Sequence, residues 1–95
     1  MIYDGKILYQ DIKLTEIKPL NDYKLSCRLS NGEMKIYDFT PHLEWEMFKH
    51  MKNDEKAFHN VIINNNVVPA WFDSETGEYD LELGLSWIIS NGISV

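Results

Sequence analysis

The sequence predicts an α+β fold: a small antiparallel sheet, made of an N-terminal meander plus a second hairpin, with two to three helices packed on one face. Three observations support this prediction. A strong hairpin signal lies within residues 22–39, a helix-start signal stands at Thr40-Pro41, and a second hairpin signal surrounds Asn64–Asn66. With 95 residues, of which 44% are hydrophobic, the chain has the length and composition of a single globular domain over 1–95.

The central hairpin runs from Asp22 to Phe39 and turns at Asn31-Gly32. Asn-Gly favours a two-residue type I′ turn, because both central residues of that turn need positive φ. A two-residue loop pairs Leu29 with Met34. The apolar face of the predicted hairpin then contains Leu25, Cys27, Leu29, Met34 and Ile36. The opposite, polar face contains Lys24, Ser26, Arg28, Ser30, Glu33, Lys35 and Tyr37.

A strand over 12–18 completes the predicted meander. Ile12 and Leu14 alternate with polar residues, whereas Ile17 follows one step out of phase, so we expect a bulge near Glu16. The three strands together form the N-terminal part of the predicted sheet.

The beginning of the chain carries another turn signal, Asp4-Gly5, which predicts short paired strands at Met1–Tyr3 and Lys6–Tyr9. It lacks the basic and apolar regions of a secretory signal peptide. No apolar run approaches the roughly 18 residues of a membrane span. Together with the lone Cys27, which we expect to be a small core residue, these features predict a cytoplasmic location and no membrane partner.

A helix is predicted from Pro41 to about Met51. Thr40 suits the N-cap position and Pro41 suits the first helical position. Leu43, Met47 and Met51 recur at a spacing of four residues, which places them on one helical face.

A short helical turn at Glu55–Phe58 and a second hairpin follow, according to the local patterns. Asp54 suits the N-cap of the turn. β-Branched runs flank Asn64–Asn66, which predicts a hairpin, because Asn tolerates a left-handed backbone. Pro69 lacks an N–H group and should end the second strand of this hairpin or lie at an edge.

The C-terminal region predicts a polar loop over 72–79 and a final helix. We expect Asp80 to cap this helix, and Leu81, Leu85 and Ile88 lie at helical spacing after it. Gly92 supplies a stop signal.

Several short motifs follow one another along the chain: Pro19-Leu20, Asp22-Tyr23-Lys24-Leu25, Asn31-Gly32-Glu33, Tyr37-Asp38-Phe39, Phe48, Phe58, Trp71 and Asp80-Leu81. In this order the chain resembles, over about residues 12–85, the small bacterial proteins grouped as domain-of-unknown-function family 2442. The resemblance implies a small α+β domain without an established activity or catalytic residues. Members occur alone or fused to a helix-turn-helix, and standalone members are often encoded beside another small protein in toxin–antitoxin-like pairs. The longer loop between Trp71 and Asp80 and the extension Met1–Gln10 depart from that family.

No enzyme motif is visible, and we expect no catalytic, cofactor-binding or metal-binding residues. His42 and His50 are eight residues apart, too far to share a metal by themselves, so solvent-facing histidines are the expectation. The acidic segment 73–80 departs from a calcium loop, because Gly stands at its fifth position rather than its sixth. Asp38 with His42 is the one candidate orienter–base pair, although an Asp before a helix is more often a cap.

Two interaction surfaces remain as alternatives. Lys24, Arg28 and Lys35 surround Tyr37 on the polar hairpin face, which suits a nucleic-acid-associated regulator. However, the chain has a net charge of −6, and its nine Lys and Arg residues all precede Ala57. The milder interpretation of that imbalance is that the C-terminal part has an acidic surface. The stronger interpretation is that this surface meets a basic partner or repels nucleic acid.

Three tryptophans support the other alternative, which we prefer. Trp45 and Trp87 lie off the apolar lines of their predicted helices, and Trp71 closes a strand. Exposed tryptophans are typical anchors of protein interfaces. The sequence therefore predicts a non-enzymatic interaction module that binds another small protein or itself as a homodimer. The resemblance to family 2442 implies that such a partner could be a toxin–antitoxin-like operon neighbour. The competing interpretation is that all three side chains wrap the edge of the core.

Overall fold

The computed structural model describes residues 12–65 and 67–95. This part of the chain forms two antiparallel sheets, one with the strand order β1-β2-β3-β7 and one with the order β4-β5-β6. The strands are β1 Leu14–Leu20, β2 Lys24–Leu29, β3 Met34–Asp38, β4 Val61–Asn64, β5 Val68–Asp73, β6 Glu78–Glu82 and β7 Ile93–Ser94. Two 3₁₀ turns span Thr40–Glu44 and Lys49–Met51, and two α-helices follow, α1 Glu55–His59 and α2 Leu85–Asn91.

The α+β class is confirmed, but its finer layout differs from the prediction. The meander and the second hairpin belong to separate sheets, which adjoin where β1 contacts β4 and β5. Helix α1 contacts β1 and β5, whereas α2 packs near β3. The strands predicted at Met1–Tyr3 and Lys6–Tyr9 lie outside the described residues.

The first strand contains the predicted bulge, since the register of β1 against β2 shifts between Leu14 and Glu16. The strand continues through Pro19, which pairs with Leu25. The bulge explains why Ile17 is out of phase with Leu14 in the sequence.

The central hairpin has a register one residue away from the predicted one. Its loop has three residues, Ser30 to Gly32, closed by the Leu29 N–H donating to the Glu33 carbonyl at 2.8 Å. Positive φ occurs at Gly32 (φ 93°) but not at Asn31. This is the geometry of a turn followed by a glycine bulge, and it needs only one left-handed residue.

The register change exchanges the two faces of β3, so that the side chains predicted to be exposed are buried. Leu25 faces Tyr37 and Cys27 faces Lys35, so Tyr37 and Lys35 are buried while Met34 and Ile36 are only half-buried on the other side. The prediction that Met34 and Ile36 complete the apolar face is therefore wrong, because a one-residue slip moves every side chain of a strand to the opposite face.

Strand β7 covers the buried lysine and had no sequence signal. It pairs with β3, and Nζ of Lys35 donates a hydrogen bond to Oγ of Ser94 at 3.2 Å. A Cβ atom on Gly92 would lie 2.6 Å from the Ile88 carbonyl oxygen and 3.0 Å from Cβ of Lys35. The chain can approach β3 this closely because position 92 is glycine.

The predicted helix from Pro41 to Met51 is replaced by two 3₁₀ turns. The Asp38 carboxylate accepts hydrogen bonds from the backbone N–H and the hydroxyl of Thr40, so Thr40 is not the cap. The backbone becomes extended at Trp45, with ψ 141°. This break changes the helical phase, so that Met47 is 38% exposed while Leu43 and Met51 remain buried.

Strand β5 continues past Pro69 to Asp73, contrary to the predicted end, and lies between β4 and β6. The Pro69 carbonyl still accepts a hydrogen bond from the Leu83 N–H at 3.1 Å. Asp80 lies within β6 and does not cap a helix; α2 begins after Gly84 instead. The Asp54 cap of α1 is confirmed, since its carboxylate accepts from the Ala57 N–H at 3.3 Å.

The centre of the core is a cluster of four fully buried aromatic side chains, Phe39, Phe48, Phe58 and Trp71. Their ring centroids lie 4.8 to 6.0 Å apart in the contacts that join them. The indole N–H of Trp71 donates to the Phe58 carbonyl at 2.8 Å, so the buried polar atom is satisfied. We call this group the closed aromatic cluster.

Candidate functional site

His42 is the centre of the candidate site. The first 3₁₀ turn carries it inward from Pro41, and only 2% of its surface is exposed. Its Nε2 shares a hydrogen bond with the Tyr37 hydroxyl, at 2.5 Å between the heavy atoms. Its Nδ1 is buried without a hydrogen-bond partner among the described residues. Burial lowers the pKa of His42, because it disfavours the charged imidazolium.

Two tryptophans cover His42. Their indole rings contact the imidazole at centroid distances of 4.4 Å for Trp45 and 5.0 Å for Trp87, both nearly perpendicular to it. The two indoles also contact each other at 5.5 Å. Trp45 is 37% exposed and Trp87 is 43% exposed. We call this surface the Trp45–Trp87 patch.

The fold fixes the position of each indole ring in the patch. Trp45 stands at the break between the two 3₁₀ turns, and Trp87 belongs to the first turn of α2. Contacts with His42 and with each other hold the rings, and His42 in turn contacts Phe39 of the closed aromatic cluster at 5.2 Å. The patch is therefore an exposed extension of the core rather than two loose side chains.

Trp71 does not belong to this surface. Its side chain is fully buried in β5 and hydrogen-bonded to the backbone of Phe58. The prediction that Trp71 contacts a partner is wrong, because β4 and β6 flank its strand and the closed aromatic cluster covers the ring. The prediction places the two remaining tryptophans, Trp45 and Trp87, at the surface, and they do lie there, next to each other.

A cleft of about 290 Å³ adjoins the patch, with Asp38, His42 and Trp87 among its lining residues. Asp38 and His42 nevertheless do not form the orienter–base pair considered from the sequence. Asp38 binds Thr40, whereas His42 binds Tyr37. Partial burial acts to raise the pKa of Asp38, but the hydrogen bonds from Thr40 and the charge of Lys24 bring that pKa below its ordinary value.

Tyr37 is a hydrogen-bonded partner of a base, but its environment works against ionisation. Burial raises the pKa of its hydroxyl, and the nearby charge of Asp38 raises it further. An activated nucleophile needs the opposite shift.

The basic residues predicted to bind nucleic acid are separated by the hairpin register. Lys24 and Arg28 are exposed on one face, whereas Lys35 and Tyr37 are buried on the other. Arg28 also lies 3.5 Å from a carboxylate oxygen of Glu16. The four residues therefore do not form one surface, and that predicted site is wrong as a set.

The remaining candidate residues have structural roles in the core and in turns. Burial raises the pKa of the Cys27 thiol to about 12, which confirms it as a small core residue. The Asp73 carboxylate accepts from the Glu75 N–H at 2.9 Å and so caps its own turn. Within the described ranges, no group of three His, Cys, Asp or Glu residues is placed to hold a metal ion.

The histidines differ from the expectation in one case. His50 and His59 are exposed, as expected, but His42 is buried, and its burial had no sequence signal. The local pattern after Pro41 cannot show that His42 is buried, because Trp87 of α2, which is distant in the sequence, covers it.

Comparison with known proteins produced no relative: no family model, no curated protein and no solved structure matches this chain. Among the described residues, no helix combines the length and the apolar composition needed to cross a bilayer.

Proposed function

We propose that the protein is a non-enzymatic protein-interaction module and that the Trp45–Trp87 patch is its contact surface. One observation carries this proposal: two indole rings stand 5.5 Å apart, each more than one-third exposed, over a buried histidine. Tryptophan is enriched among the residues that dominate binding energy at protein interfaces. A pair of them at one point of a small domain is a natural anchor.

The fixed position of the indoles adds to the argument. Binding costs free energy when it immobilises flexible side chains, and that cost is reduced for groups that are already held in place. Contacts with His42 hold Trp45 and Trp87 before any partner arrives. Burial lowers the pKa of His42 and so favours its neutral imidazole, which avoids an unpaired charge beneath the interface.

The proposed partner is another small protein or a second copy of the chain. The resemblance to domain-of-unknown-function family 2442 supports this choice, because standalone members of that family are often encoded beside another small protein. The proposal of a toxin–antitoxin-like operon partner depends on that resemblance alone. Direct nucleic-acid binding is less favoured, since Lys24 and Arg28 stand apart from Lys35 and Tyr37.

The test compares the capture of partners by three forms of the protein. The double variant Trp45→Leu/Trp87→Leu removes the anchors, and Ile62→Thr removes an equally exposed apolar side chain on β4, with 40% exposure. Capture from a nuclease-treated extract of the native host tests for a partner protein, and light scattering tests for self-association. We expect one of them to detect a complex with the unchanged protein and with Ile62→Thr. The double variant should lose it. Equal binding by all three forms would contradict the proposal, as would a strictly monomeric protein that captures nothing.

A further inference from the structure

A groove lies on the side of the molecule formed by the second 3₁₀ turn and the turn between β5 and β6. It consists of two adjoining clefts, of about 490 Å³ and about 250 Å³, which share His50 and Ser74 as lining residues. Met47 lies in the larger cleft and Phe72 in the smaller. We call the two together the Met47–Phe72 groove.

The groove has apolar anchors that are open to solvent. Met47 is 38% exposed and Phe72 is 39% exposed. Phe72 is held in place by the ring of Tyr79 at 5.4 Å, whose hydroxyl donates to Oδ1 of Asn60 at 2.8 Å. Leu81 adds a half-buried aliphatic side chain to the larger cleft. These side chains offer an apolar contact area in a fixed arrangement.

Carboxylates dominate the charges around the anchors. Of the residues that the structure describes, four with carboxylates line the groove, Glu46, Asp54, Asp73 and Glu75, and no Lys or Arg does. Lys49 stands at the border and offsets part of the charge of Glu46, from which it is 4.0 Å away. Asp54 and Asp73 each use Oδ1 to accept a backbone N–H. A carboxylate has capacity for further donors after such a bond.

Apolar anchors and carboxylates together define the chemistry of the occupant. A polyanion is repelled by this surface, and a purely apolar segment would leave the carboxylates facing a partner without donors. Lysine and arginine side chains supply both an aliphatic stem and a cationic end. The complementary ligand is a peptide segment in which basic and aliphatic residues alternate or share one face.

We infer that the Met47–Phe72 groove binds a basic amphipathic segment of a partner protein. This inference rests on the proposed interaction function and adds the chemistry of the partner to it. Met47 of the groove follows Trp45 of the patch by two residues in the same connection, so the two surfaces are neighbours along the chain. Aliphatic side chains of the segment contact Met47 and Phe72, and its cationic groups bind the carboxylates.

The experiment is a calorimetric and NMR titration with three short synthetic peptides. One alternates lysine and leucine, one alternates lysine and serine, and one alternates glutamate and leucine. We expect only the lysine–leucine peptide to bind and to shift the amide signals of residues lining the groove. Added salt should weaken this binding, because the carboxylates are exposed.

Two variants with the same change in net charge test the location. Glu46→Gln/Asp73→Asn/Glu75→Gln removes three of the four carboxylate charges of the groove and leaves Asp54, which caps α1. The change to Asn at position 73 keeps an acceptor for the Glu75 N–H. Glu33→Gln/Glu78→Gln/Asp80→Asn neutralises three acids elsewhere on the surface. The groove variant should bind the lysine–leucine peptide about tenfold more weakly, and the control less than about twofold.

Three results would overturn the inference: no binding of the lysine–leucine peptide, equal binding of the lysine–serine peptide, or equal weakening in both triple variants. Titration of Trp45→Leu/Trp87→Leu separates this failure from failure of the proposed function. If that variant loses its protein partner while the unchanged chain ignores the peptides, only the groove assignment fails. If the double tryptophan variant keeps its protein partner while the lysine–leucine peptide binds in the groove, the assignment of the Trp45–Trp87 patch as the contact surface is wrong instead.

Discussion

The closed aromatic cluster and the Trp45–Trp87 patch are two ends of one aromatic network with opposite relations to solvent. Trp71 contacts Phe39 at 4.8 Å, Phe39 contacts His42 at 5.2 Å, and His42 contacts both exposed tryptophans. At the first end the indole is fully buried and its N–H is bonded to a carbonyl. At the other end both indoles are more than one-third exposed.

The difference shows that the same side chain is a core residue or an interface candidate according to the element that carries it. Trp71 belongs to β5, which has a strand on either side. Trp45 lies in a connection between two short turns, and Trp87 lies on a helix that nothing described in the structure covers on its outer side. If this comparison is right, substitutions in the closed aromatic cluster should mainly reduce stability, and substitutions in the Trp45–Trp87 patch should mainly reduce binding.

The largest effect is expected for Trp71→Ala. The change removes a buried indole and leaves the Phe58 carbonyl without its donor, so it should lower the free energy of unfolding by about 3–5 kcal/mol. Urea denaturation followed by circular dichroism measures this loss, with Trp45→Ala as the matched control. A loss of equal size for both variants would contradict the distinction between the two ends.

A smaller effect is expected for Tyr23→Phe, which loosens the closed end. Tyr23 packs on Phe58, and its hydroxyl donates to the carbonyls of Met51 at 2.6 Å and Lys52 at 2.9 Å. These bonds hold a residue with positive φ, 60°, in the turn between β1 and β2. The variant should lose about 1–2 kcal/mol.

Tyr79→Phe is the control for this prediction, because its hydroxyl bonds a side chain at the surface rather than two backbone carbonyls. Its expected loss is below about 1 kcal/mol. If Tyr79→Phe costs as much as Tyr23→Phe, the hydroxyl of Tyr23 has no special role in closing the cluster.

The histidine between the two ends predicts a pH dependence. Burial lowers the pKa of folded His42 from the ordinary value of 6.5, so the unfolded chain binds a proton that the folded chain does not hold. The corresponding stability is fully present above pH 6.5 and decreases as the pH falls below that value. The slope for one proton cannot exceed about 1.4 kcal/mol per pH unit.

Urea denaturation from about pH 5.5 to 8 measures this slope. The variant His50→Gln/His59→Gln removes both exposed histidines and should retain the dependence. Tyr37 and Asp38 are ionisable groups of β3 that lie close to His42. Burial raises the pKa of Tyr37; burial acts to raise that of Asp38 as well, but the hydrogen bonds from Thr40 bring it below its ordinary value, so both shifts lead away from this range. A flat profile for the double variant would show that His42 is not the group responsible.

The smallest effect on stability is expected at the open end. Trp45→Leu and Trp87→Leu each remove a partly exposed ring and its aromatic contacts, which should cost about 1 kcal/mol or less. Both variants should nevertheless abolish partner binding if the proposed function is right. A loss of stability as large as that of Trp71→Ala would indicate that the patch is part of the core.

Local signals in the sequence were sufficient where the structure depends on neighbouring residues. The bulge near Glu16, the cap at Asp54 and the two hairpins depend on backbone preferences over a few positions, and all are present. The register of the central hairpin was not predictable in the same way. Asn-Gly serves both a two-residue and a three-residue loop, and burial of Tyr37 under the rest of the chain selected the longer one.

By itself, the sequence determined the α+β class and the apolar side of β2. It also showed that Trp45 and Trp87 lie off the apolar lines of their predicted helices. The tertiary structure alone decided that Trp71 is closed and that Trp45 meets Trp87 over His42. These contacts join β3, the 3₁₀ turns and α2, which are distant in sequence. No periodicity within one element reports which side of it another element will cover, so burial of such residues is a property of the assembled chain.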